Sequence, residues 1–303
     1  MNNFLKLKPL FCLFFFCLWA PPLWAGSSDW SFLPGSTIFK PLIGDPRAPV
    51  IGLIGYLSQV NYQEQWGSTY EGLAASAYEG QVGSTVEIAR YSPRDDAQLG
   101  WGIFGSGYIL LGENGATFPM QTADWYFGTY FSGVLGDFSI KLGALHESGH
   151  LGDALQIVFP FDVPTDIPSP YFLFYSRENV NGALSWQPSE YCRFYGELGE
   201  WIDINPIPAD NNTLFGAGGT ELYTPYWSVD HSAMRGYATA HFGWIGEIQE
   251  WSEEFQLGLQ WKASKNETRD IRAAILFYTG YNQFGQFYNL PDQHWALATF
   301  FDF

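Results

Sequence analysis

The sequence predicts an all-β protein, one antiparallel transmembrane β-barrel of about 12 strands that follows an N-terminal signal peptide. Three observations carry this. Apolar residues alternate with small or polar ones in segments of about ten residues, as in strands with one lipid-facing side. The connections between those segments alternate between short and long. Finally, only 15% of the 303 residues are charged while 19% are aromatic, with 33 glycines. Ordinary globular chains carry roughly a quarter charged residues. The aromatic content excludes disorder, and no stretch after the leader is a continuous apolar run long enough for a spanning helix.

The leader comes first. Residues 1–25 open with Lys6 and Lys8, continue through an apolar run from Pro9 to Leu18, and end at Leu23-Trp24-Ala25. This order reads as a secretory signal peptide cleaved near Ala25. Its removal leaves 12 basic and 31 acidic residues, a net charge of −19 in place of −17. Such a surplus of acid excludes a nucleic-acid partner, because phosphates need a basic footprint. Cleavage also removes Cys12 and Cys17, so Cys192 stands alone and no internal disulfide can form. Residues 26–46 are expected to form a periplasmic segment and residues 47–303 the barrel.

The strands are expected at 47–60, 83–91, 97–109, 121–133, 136–148, 174–187, 189–201, 213–224, 234–246, 254–262, 270–280 and 293–303. Short turns follow the even strands, at Ser92–Asp96, Val134-Leu135 and Pro188. Longer loops follow the odd ones, at 61–82, 110–120, 149–173 and 281–292. That asymmetry is the pattern of outer-membrane barrels. In the last strand Trp295, Leu297, Thr299, Phe301 and Phe303 share one parity, while Asp302 takes the other and is expected in the lumen. A closing strand of this kind resembles the mark by which outer-membrane proteins reach the barrel-assembly machinery, here through Phe303.

Several stretches together resemble the bacterial family known as domain of unknown function 1207. They are Phe39–Arg47, His146–Asp153, Tyr175-Ser176-Arg177-Glu178, Phe277–Tyr281 and Gly285-Gln286-Phe287-Tyr288. The resemblance implies an exported envelope barrel and supplies no activity. The family pattern has Ser-Ser between the two histidines, where this chain has Ser148-Gly149.

The densest chemistry lies between His146 and Asp153. Read literally, His146-Glu147-x-x-His150 is a zinc-hydrolase motif, which requires a helix to bring both histidines to one face. The glycines around it and the period of two upstream argue for a strand, and no metal or cofactor is assigned. Read by strand parity, His146 and Ser148 continue the lipid-facing row Phe138, Ile140, Leu142 and Ala144 to its outer end. A His-x-Ser pair there resembles the arrangement of outer-membrane phospholipase A and the lipid A deacylases. That resemblance implies Ser148 as nucleophile and His146 as base. Glu178 on the next strand shares the outward parity and is the expected orienting group.

His150, Asp153 and Arg177 are possible supporting residues, Asp153 and Arg177 as an ion pair pinning the 149–173 loop. A rim cluster that binds lipopolysaccharide headgroups is the alternative reading. Function is thus expected to be either a structural or small-solute role in the envelope or an acyl hydrolase acting on phospholipid or lipopolysaccharide. Asp45-Pro46-Arg47 is expected to form a turn and an ion pair at the periplasmic edge. His241 and His294 are expected in lumenal or interfacial places.

Overall fold

The computed structural model describes residues 29–58, 77–94, 96–113, 116–152, 175–205, 212–229, 231–264, 269–288 and 291–302. The leader, Asp153 and Phe303 lie outside the described residues. Among the described residues fourteen strands form: β1 (Asp29–Phe32), β2 (Ile51–Ser58), β3 (Ala77–Arg94), β4 (Ala97–Gly112), β5 (Met120–Leu135), β6 (Phe138–Leu151) and β7 (Tyr175–Ser189), then β8 (Cys192–Asn205), β9 (Leu214–Tyr223), β10 (Trp227–Val229), β11 (Ser232–Ile245), β12 (Glu250–Lys262), β13 (Asp270–Tyr281) and β14 (Pro291–Asp302). Twelve of them close a ring in the order β3-β2-β14-β13-β12-β11-β9-β8-β7-β6-β5-β4, with β4 returning to β3. Every pairing is antiparallel, and β2 against β14 is the seam between the two ends of the chain.

The faces are inverted relative to a water-soluble protein. Along β6, Phe138, Ile140 and Leu142 stand outward and about half exposed, while Glu147 between the next outward residues is buried. Along β12, Trp251, Phe255, Leu257, Leu259 and Trp261 face out, and Ser252, Glu254, Gln256 and Gln260 are buried within. The alternation that located the strands is therefore also the alternation between lipid and lumen. One end of the ring bears short turns, at Gly136-Asp137 and Glu190-Tyr191; the other bears the connection 152–174. These are called the turn end and the loop end below. The 224–231 connection departs from the rule because it holds β10, which pairs with β11.

The start of the chain differs from expectation. Pro46 and Pro49 have no N–H to give a ladder, and the strand expected from 47 begins at Ile51. β1 pairs with residues 89–92 of β3 and β2 with residues 78–81. β4 occupies the opposite edge of β3 over the same stretch, so β1 and β2 are two pieces of one interrupted wall strand. The chain between them turns into the lumen. Arg193 donates from Nη1 to the Pro41 carbonyl and from Nη2 to the Lys40 carbonyl, each at 2.9 Å. Glu221 accepts the Ile43 amide at 2.8 Å, and Phe39 and Leu42 pack against Ala183 and Tyr195.

Asp45-Pro46-Arg47 does make a turn, with the Asp45 carboxylate accepting the Arg47 amide at 2.8 Å. Its ion pairs lie inside the ring, not at the periplasmic edge: Arg47 reaches Glu79 at 3.5 Å and Asp124 at 3.8 Å. Of the segment expected in the periplasm, Phe39 to Asp45 pack against lumenal side chains of the ring. This lumenal plug leaves a cavity of about 230 Å³, whose lining includes Lys141, Asn179, Asn181, Glu197, Trp201 and His241.

Candidate functional site

β6 and β7 run side by side to the loop end, in a register that sets His146 opposite Glu178 and Ser148 opposite Ser176. Each pair shares one face, because antiparallel partners project to the same side of the sheet. The face is the outer one. His146 Nδ1 lies 2.6 Å from Glu178 Oε1, with side chains 26% and 47% exposed, so the pair sits where water and apolar surface meet. With Glu178 ionised, Nδ1 carries the proton donated in that bond, and Nε2 is left as a basic lone pair; the tautomer follows from the partner.

Ser148 follows on the same row at a strand rise of about 6.7 Å from His146, Cα to Cα. It is half-buried. No hydrogen bond joins its Oγ to the imidazole; the Phe127 ring centre lies 4.7 Å from that of His146. On β5 the two-residue turn Gly136-Asp137 fixes the register, placing Phe127 beside His146 and Trp125 beside Ser148. Both are strongly outward, at 57% and 45% exposed, and give the polar row an apolar flank. The turn expected at Val134-Leu135 is equally short but would set Ala123 beside His146, so the position of the turn and not its length decides these neighbours.

The zinc geometry does not form. His146 and His150 are both outward on an extended strand, about 13 Å apart along it, and Glu147 between them points into the lumen. His150 is exposed one step beyond Ser148, its carbonyl accepting from Thr122 Oγ1 at 3.0 Å. Arg177 shares the Glu147 side of the sheet and is buried. It does not serve the outward row. Its Nη2 lies 2.8 Å from Glu247, a close ion pair without hydrogen-bond alignment, and its guanidinium is enclosed by the rings of Tyr175, Trp201 and Tyr288 at 4.5–4.7 Å.

The rear of the β6 strand is as polar as its front. Glu147 accepts from Tyr175 OH at 2.6 Å and from Tyr126 OH at 3.0 Å. From the connection between β13 and β14, the 3₁₀ turn Gly285–Phe287 bends inward. Gly285 donates its amide to Asp124 at 2.7 Å, and Gln286 Nε2 donates to the Gly149 carbonyl at 2.7 Å. Parity gives no warning of these loop contacts, since a side chain in an irregular segment has no period to read.

Solved structures share this architecture. Outer membrane phospholipase A from Escherichia coli superposes with a TM-score of 0.50 at 12% identity, over 85% of this chain and 93% of that one. The outer membrane phospholipase dimer of Salmonella typhi, with bound calcium, gives the same TM-score, identity and coverage. LpxR from Salmonella typhimurium gives 0.40 at 9% identity, over 83% and 99%. At such identities the likeness is one of outer-membrane barrel fold. No curated protein matches the chain. The family model described as "Protein of unknown function (DUF1207)" matches residues 28–303.

Proposed function

The chain belongs to the DUF1207 family, which assigns no activity, and from the geometry of the outward row we propose that it is an outer-membrane acyl hydrolase acting on phospholipid or lipopolysaccharide, with Ser148 as nucleophile, His146 as base and Glu178 as orienter. The observation that carries the reading is the 2.6 Å contact between His146 Nδ1 and Glu178 Oε1 on the outward face, one strand step from an outward serine. In that reading the loop end faces outside, the segment before the barrel is removed near Ala25, and Phe303 engages the assembly machinery. The lipid-facing belt and the likeness to outer-membrane barrels support the location.

The chemistry follows from the arrangement. A rotation of the Ser148 side chain brings Oγ toward Nε2, which takes its proton as Oγ bonds to the acyl carbonyl carbon. Collapse of the tetrahedral adduct breaks the ester bond, and the imidazolium returns the proton to the departing alkoxide. Water then repeats the sequence on the acyl-serine, releasing fatty acid and restoring the hydroxyl. Glu178 keeps Nδ1 protonated and stabilises the imidazolium as it forms. Trp125 and Phe127 supply the apolar contact for the acyl chain.

The absent His146–Ser148 bond favours one rival, in which His146 and Glu178 merely pin two strands at a rim that binds headgroups. Vesicles of phospholipid, and separately of lipopolysaccharide, decide between the two. Purified protein should release fatty acid from one of them and the folded Ser148→Ala barrel should not. Equal release by both proteins, or none by either, supports the rim.

A further inference from the structure

Resting on the hydrolase reading, we infer that the inward turn Gly285–Tyr288 positions Ser148 from behind, and that Gln286 is the positioning residue. Gly149, directly after Ser148, is held from the lumen: its carbonyl takes the Gln286 amide at 2.7 Å, while Asp124, its partner across the β5–β6 ladder, takes the Gly285 amide at 2.7 Å. One short turn therefore grips both strands of the hairpin at the level of the outward serine. Gln286 is itself buried, so its bond to Gly149 is shielded from water and strong enough to fix that peptide.

Two glycines make the approach possible. A Cβ on Gly149 would stand 2.8 Å from Asp124 Oδ1, and a Cβ on Gly285 would stand 2.3 Å from the Tyr175 ring. Tyr175 cannot yield freely, because its hydroxyl is bound to Glu147, which separates His146 from Ser148 in the chain. Gly285-Gln286 and Ser148-Gly149 thus interlock: one sequence supplies the grip, the other the space for it. The serine stands near the end of its strand, where the ladder to β7 stops at Gly149 and only the ladder to β5 continues, as far as Leu151. A fixed peptide behind Ser148 keeps Oγ within a rotamer change of the His146 nitrogen.

The test uses the full-length barrel folded in detergent micelles, with two readouts on each variant. One is covalent labelling of Ser148 by a fluorophosphonate, in which Oγ bonds to phosphorus as fluoride leaves. The other is fatty-acid release from phospholipid vesicles, resolved into kcat and KM. For Gln286→Ala, labelling rate and kcat should fall about 10- to 100-fold with KM within twofold of wild type, as expected for a misplaced reacting atom. Gly285→Ala should do the same, and Gln283→Ala on the same connection should not. Folding of each variant is checked by the gel mobility shift of unheated barrel. If wild type is labelled at Ser148 and folded Gln286→Ala is labelled equally fast, the positioning role is overturned while the hydrolase reading stands. If wild type is neither labelled nor active and matches Ser148→Ala, the hydrolase reading fails and the positioning role with it.

Discussion

The Arg47 guanidinium lies 4.6 Å from the centre of the Phe284 ring. A segment that enters the barrel from the turn end thereby meets a connection that enters from the loop end. On its other side Arg47 rests 4.5 Å from the Tyr108 ring, whose hydroxyl donates to the Arg47 carbonyl. Glu79 and Asp124 flank its charge. Replacing Arg47 by alanine leaves two buried carboxylates without their cation, a change that costs about 3 kcal/mol. The expected result is a lower urea midpoint together with channel openings in planar bilayers that wild type lacks. Unaltered conductance and midpoint would show that Arg47 does not hold the lumen shut.

Glu178→Gln keeps the shape of the outward pair and removes the carboxylate. Fatty-acid release should fall by about 10²- to 10⁴-fold, the range that correct proton handling contributes. Stability should barely move, since a half-exposed pair of this kind adds little. A matched assay of vesicle hydrolysis and urea unfolding separates the two effects. A variant that keeps full activity would remove Glu178 from the proposed machinery.

The Arg177–Glu247 pair behaves in the opposite way. Both side chains are almost wholly buried, so Arg177→Met should cost about 3–5 kcal/mol by stranding Glu247. Because Arg177 faces away from Ser148, barrel that does fold should keep its specific activity. Thermal unfolding of the folded fraction, with activity per folded molecule, checks both halves.

Tyr288 gives the loop-end connection a pH limit. Burial, with the Glu247 carboxylate it binds at 2.6 Å, pushes its hydroxyl up to about 12. A free tyrosine titrates near 10. The folded state therefore holds the proton longer than the unfolded one, and the stabilisation is whole below pH 10 and lost as pH rises through about 12. Unfolding midpoints measured from pH 9 to 12 should fall less steeply in Tyr288→Phe than in wild type. Parallel slopes would show that this hydroxyl is not what the connection depends on.

The wall and the outward row were legible because both obey parity. In β6 one alternation places Leu142 in lipid and Glu147 in the lumen, and it carries His146 and Ser148 outward with the same certainty. The Glu178 pairing was legible as well, since neighbouring strands present like parity to one side. Arg47 was not. Its partners Glu79, Tyr108 and Asp124 come from three different strands, and nothing local to Asp45-Pro46-Arg47 tells a turn at a rim from a turn inside it. Gln286 escaped for the same reason. β1 escaped because four residues, Asp29–Phe32, are too few to show a period.

The interrupted wall strand also bears on how the molecule is made. The lumenal segment is anchored at both ends, by β1 before it and β2 after it, each laced to β3. It is therefore a loop tied into the staves, not a cork on a string: ladder hydrogen bonds to the wall hold it on both sides.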